Sequence, residues 1–135
     1  MRTIVQAMVV AVGCAGLPGS ADAAEIMGTE LKDLISGKSI YLELTASATA
    51  GAGQGVIYYL PTGEALYKIA SGATWHGTWT IKDNAVCNAW KEAPRNACTK
   101  YDRNDRSITL INTATGQARG KVSKIVAGNP ERLIP

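Results

Sequence analysis

From Gly37 to Val126 the chain is a series of short β-forming runs broken by turn residues, and this spacing constrains the fold more than any other feature. The runs are Ser39–Thr45, Gly55–Leu60, Glu64–Ala70, Thr74–Ile81, Ala85–Trp90, Arg95–Tyr101, Arg106–Ile111 and Gln117–Val126. Between them lie Pro61-Thr62-Gly63, Ser71-Gly72, Lys82-Asp83-Asn84, Asp102–Asp105 and Thr115-Gly116, with the small, glycine-rich loop Ala46–Gln54 after the first run. Joining parallel strands takes a crossover of about a dozen residues or more, and no gap here is that long without being part of a strand. The expected fold is therefore mainly β: an up-and-down antiparallel sheet or small closed barrel of about eight strands.

Alternation within the runs supports this. Ile40, Leu42 and Leu44 share one face, with Tyr41 and Glu43 on the other. Trp75, Trp79 and Ile81 share a face opposite His76, Thr78 and Thr80. One short N-terminal helix is expected over Glu30–Ile35, capped by Thr29 and ended by Gly37, with Leu31, Leu34 and Ile35 on its buried side.

The first 23 residues have a different texture. Met1-Arg2 is a short basic start, Ile4–Val12 is an apolar run too short to span a bilayer, and Ala21-Asp22-Ala23 offers the small residues that a signal peptidase reads. We expect residues 1–23 to be a signal peptide and 24–135 to be a single β-rich domain, periplasmic or secreted, with no transmembrane segment. Cleavage would remove Cys14 and leave Cys87 and Cys98, an even pair that an oxidising compartment would join. The pairing suits a hairpin in which the two cysteines are opposed and Lys91–Pro94 forms the loop, with Arg95 opposite Trp90. An alternative reading makes Cys14 a lipid-anchor cysteine after Ala11-Val12-Gly13, which would tether the domain to a membrane.

The net charge of +3 is mild and carries no nucleic-acid signature. The chain's one histidine, His76, has no second histidine to share a metal, so we expect no metal site and no cofactor. Cys87 and Cys98 are too far apart for a C-x-x-C redox pair, and no serine lies in a nucleophile-elbow motif. Gly51, Gly53 and Gly55 lack the lysine and following helix of a phosphate cradle. The expected catalytic set is empty; an enzyme would require His76 to meet a carboxylate in a cleft.

Two residue groups carry a functional signal. Some of Tyr58, Tyr67, Trp75, Trp79 and Trp90 would line the interior of a closed sheet, where they either fill the space or surround a small apolar ligand. Lys100, Arg103, Arg106, Arg119, Lys121 and Lys124 would gather on neighbouring late strands as a face for an anionic or protein partner.

Gly77-Thr78-Trp79-Thr80-Ile81, Cys87, Trp90, Cys98 and the closing Ala127-Gly128-Asn129-Pro130 with Leu133 form a pattern, preceded by Leu34–Lys38 and Tyr58–Gly63. It resembles that of a family of small exported proteobacterial proteins classed as a domain of unknown function. The resemblance runs from about Gly28 to Leu133 and implies a periplasmic or secreted β domain with one disulfide, and no activity. The link Lys91–Asn96 is longer and more charged than in that pattern. The Gly-x-Trp-Thr-hydrophobic strand before the first cysteine also resembles the small periplasmic inhibitors of bacterial metalloproteases, although here it lies mid-chain.

The sequence thus points to an exported, non-catalytic β domain with a binding or envelope-associated role. The alternative is an inhibitor of a secreted hydrolase, a protease or lysozyme, acting through an exposed arm at Ala24–Gly28 or the loop Ala46–Gln54.

Overall fold

The computed structural model describes residues 24–135 apart from Ser47, Thr49, Ala50, Pro94 and Arg95. The signal-like segment, Cys14 and the expected Arg95–Trp90 contact lie outside the described residues. The elements are β1 (Ala24–Glu25), α1 (Gly28–Ile35), β2 (Lys38–Leu44), β3 (Gly53–Tyr59), β4 (Glu64–Lys68), β5 (Thr74–Lys82), β6 (Ala85–Trp90), β7 (Ala97–Asn104), β8 (Ser107–Asn112) and β9 (Ala118–Ala127). Each of β2 to β9 pairs antiparallel with the next, and β9 returns to pair with β2, so the sheet closes as an eight-stranded barrel. The expected mainly β, up-and-down architecture is thus the one observed, in its closed form.

Closure leaves no long free edge, the usual liability of an open sheet. The hairpin from β5 to β6 turns through Asp83 and Asn84, both at positive φ (51° and 59°). Aspartate and asparagine tolerate that region better than other non-glycine residues.

Two short elements were not legible as such. β1 adds to β7 at Ala24↔Arg103 and Glu25↔Asp102, continuing the line that β6 leaves after Val86↔Thr99. Ala24–Gly28 is therefore not a free arm: its backbone is paired and Ile26 is buried. This corrects the arm that a hydrolase inhibitor would have needed there. The second element is Gly128–Pro135, a strap that leaves β9 and crosses the outside of the barrel.

α1 closes one end of the barrel, packing on β2, β5 and β6, with Leu31 and Ile35 fully buried. Its N-terminus is not capped by Thr29. The cap position is Met27, and the free Gly28 N–H donates instead to Asn84 Oδ1 from the β5–β6 turn at 2.7 Å. A side chain distant in sequence thus satisfies a donor that local capping usually satisfies. At the other end Gly37 takes the left-handed conformation (φ 72°) and its N–H donates to the Tyr59 carbonyl.

Around Val56 and Leu66 both faces of the sheet are buried. Ile57, Ala65 and Tyr67 belong to the interior cluster, so Val56 and Leu66 face outward by alternation, yet they are only 8% and 2% exposed. The strap runs over this outer wall. Ser39 Oγ donates to the Gly128 carbonyl (2.7 Å), and Tyr41 Oη donates to Glu131 Oε1 (3.1 Å). Asn129 clips Leu133, accepting its N–H and donating to its carbonyl.

Candidate functional site

The barrel interior is built mainly from aromatic rings. Tyr59 and Trp79 meet edge to face with centroids 5.5 Å apart, and Trp79 Nε1 donates to the Leu60 carbonyl at 2.8 Å. Towards the end away from α1, Tyr67, Trp75 and Trp90 form a mutually packed trio at 5.4–6.5 Å. Gly55 makes room for this trio: a Cβ there would strike the Tyr67 ring. Of the aromatic residues expected to line the interior, Tyr67, Trp75, Trp79 and Trp90 do so. Tyr58 does not: it sits between inward-facing Ile57 and Tyr59 and so points to the outer wall, a correction that follows from the strand period of two. Tyr59 and Tyr101 take inward positions that sequence reasoning did not single out.

The interior also holds polar groups. β9 shifts register against β8 between Leu110 and Ile111, so that Arg119 lies between the paired residues Ala118 and Gly120. Such a bulge re-aims a side chain, and Arg119 lines the interior, with Nη1 donating to Thr99 Oγ1 at 2.8 Å. The Tyr59 hydroxyl hydrogen bonds with Tyr101 and Asn88. Among the described residues these groups leave a void of about 30 Å³. That is room for two or three waters, given that one needs about 10–15 Å³ by this measure. Asn88 Oδ1, buried and without a protein partner, is an acceptor that such a water would satisfy.

Burial pushes the hydroxyl pKa values of Tyr59, Tyr67 and Tyr101 upward, because a tyrosinate in the interior would lose its hydration. A raised folded-state pKa leaves the associated stability intact below the ordinary tyrosine value and removes it as pH rises through the folded one. We therefore expect alkaline unfolding to begin above about pH 10. Tyrosinate absorbance from these three residues should appear together with the loss of near-UV circular dichroism. Their ionisation in the folded protein would contradict the packing described.

The six cations expected to form one face are dispersed. Lys100 pairs with Glu25 of β1 at 3.0 Å, Arg103 with Glu30 of α1 at 2.7 Å, and Lys121 with Glu43 of β2 at 3.3 Å. Lys124 lies 4.3 Å from the Tyr41 ring centroid, Arg106 is in the exposed turn between β7 and β8, and Arg119 is turned inward. Curvature and the inward bulge separate residues that looked adjacent in sequence. Exposed pairs of this kind contribute about 0–1 kcal/mol each.

The most organised polar cluster is on the outer wall, at His76 of β5. Glu92 grips it twice: Oε1 accepts the His76 backbone N–H at 2.7 Å and Oε2 meets ring Nδ1 at 2.9 Å. Ring Nε2 lies 3.1 Å from the Ile134 carbonyl of the strap. The ring and backbone hydrogen bonds from His76 hold the Glu92 carboxyl below the usual carboxylate range. The carboxylate that an enzyme would need beside His76 is thus present. However, Nε2, the nitrogen a general base would use, is engaged by the strap. Recesses of about 430 Å³ and about 470 Å³ flank the strap end, both lined by His76 and Pro135. Sequence reasoning considered His76 but missed Glu92 and Ile134, which no local spacing connects to it.

Cys87 and Cys98 are opposed across β6 and β7 and form the disulfide. Among the described residues no group of three or more metal-ligating side chains gathers, and no helix is long and apolar enough to cross a membrane. No family model, curated protein or solved structure matches this chain.

Proposed function

We propose that this chain is an exported, non-catalytic barrel that works by binding a macromolecular partner on its outer surface, not by enclosing a small molecule. The observation that carries this reading is the filled interior: four of the five aromatic candidates pack against one another or against Tyr59, leaving about 30 Å³. An enclosed drug-sized ligand needs about 300 Å³ or more. The disulfide supports an oxidising, periplasmic or secreted location, as do the signal-like first 23 residues and the resemblance to small exported proteins. The non-catalytic part of the proposal is supported by the sequence, which holds one histidine and no serine in a nucleophile-elbow motif.

The test is the intact mass of the protein from its native envelope, recorded under non-denaturing conditions and again after denaturation and reduction. We expect a bare mass for 24–135 that rises by about 2 Da on reduction, as one disulfide requires. An additional small-molecule mass lost on denaturation would overturn the outer-surface reading. A lipid on Cys14 would overturn the expectation of a freely released domain.

A further inference from the structure

We propose that His76 is a protonation-dependent latch for the C-terminal strap, holding it in place as the imidazolium and releasing its end when neutral. The argument rests on counting donors. The Glu92 carboxylate at Nδ1 and the Ile134 carbonyl at Nε2 are both acceptors only. An imidazolium carries two N–H donors and satisfies both; a neutral ring carries one and leaves the other nitrogen's lone pair facing an oxygen. Glu92 wins that competition, because its bond is charge-assisted and its second oxygen is already fixed by the His76 backbone N–H. Deprotonation therefore falls on the strap side, where a bond becomes a lone-pair repulsion.

The surroundings fit a local device. The groups around the ring are Glu92 and Lys91 after β6, Glu64 and Lys68 on β4, and Glu131 and Arg132 on the strap. Within β5 the neighbours on the same face are Thr74 and Thr78, which carry no charge. Histidine is the side chain whose unperturbed charge change falls between about pH 5 and about pH 8, and His76 is the only one in the chain. Its hydrogen bonds keep Glu92 ionised across that interval. Lifting Ile134 and Pro135 would join the two recesses that now flank them into one trough over β4 to β6. The latch stands independently of the outer-surface binding proposed above, and its test needs no partner.

The test is amide hydrogen exchange by NMR on the full domain at about pH 5 and about pH 8, each rate divided by its intrinsic value. The reporter is the Leu133 amide, which donates to Asn129 within the strap. We expect its protection to fall about twofold to tenfold on raising the pH, the span of one hydrogen bond. The midpoint should match the titration of the His76 ring. The Trp79 amide, bonded to the Gly63 carbonyl in the barrel, should not follow. In Glu92→Gln the amide can donate to Nδ1, freeing a neutral ring to keep Nε2–H on Ile134, so the strap should stay protected at both pH values. In His76→Phe it should show the lower, high-pH level of protection at both. Strap protection that ignores the titration of His76 would overturn the latch, as would a Glu92→Gln variant that keeps the full pH response.

Discussion

Replacing Trp79 with alanine is expected to remove about 3–5 kcal/mol of stability, the usual cost of emptying a large aromatic site in a core. A domain of this size has about 5–15 kcal/mol in total, so much of the molecule would approach its unfolding threshold at room temperature. Three losses combine at this position. The indole is 6% exposed and fills the interior beside α1. Its edge-to-face contact with Tyr59 disappears, and so does the bond from Nε1 to the Leu60 carbonyl. Urea unfolding followed by circular dichroism would measure the change through the shift in midpoint. Trp79→Phe separates the terms: it keeps most of the ring but loses the donor, and should cost about 1–2 kcal/mol. A Trp79→Ala variant within about 1 kcal/mol of the parent would show that the ring is not packed as described.

The second large effect is expected on removing the disulfide. Cys87 and Cys98 are separated by 11 positions, and closing so short a loop is worth about 3 kcal/mol in the chain-entropy model. Position adds to the expected effect. Among the described residues β6 and β7 pair over Val86–Asn88 and Ala97–Thr99, the shortest ladder in the barrel, and the disulfide sits at its middle. The bond therefore joins the seam with the least backbone pairing of its own. In the double variant Cys87→Ser, Cys98→Ser, hydrogen exchange should rise first at Val86 and Thr99, ahead of β2 and β3, which share seven opposed pairs. An unchanged denaturant midpoint, or exchange that rises uniformly around the barrel, would contradict this account.

Much of this architecture was legible in the sequence because its causes are local. Turn residues at Pro61–Gly63, Lys82–Asn84 and Thr115-Gly116 and strict alternation in β2 and β5 specify short antiparallel strands through nearest neighbours alone. The opposition of Cys87 and Cys98 follows from the hairpin they flank. Legibility failed where alternation did. Val56-Ile57-Tyr58-Tyr59 is apolar throughout because the strand is buried on both faces, so nothing local told inside from outside and Tyr58 was placed on the wrong wall. The same limit applies to the cations. Arg119 turns inward at a one-residue bulge in β9 that changes its direction without leaving a mark in the sequence pattern.

The sequence by itself determined the eight barrel strands, their antiparallel sense, the helix and the disulfide partners, since each depends on residues at most a hairpin apart. Only the tertiary structure decided that the sheet closes through β9 and β2, that Asn84 caps α1, and that the interior is filled. The tertiary structure also decided that a strap brings Ile134 to His76 and Glu131 to Tyr41, across separations of 58 and 90 residues. The physical reason is range: propensity and turn chemistry act between neighbours in the chain. Closure, capping from a distance and the His76–Glu92–Ile134 cluster arise only when the barrel's curvature brings remote segments to hydrogen-bonding distance.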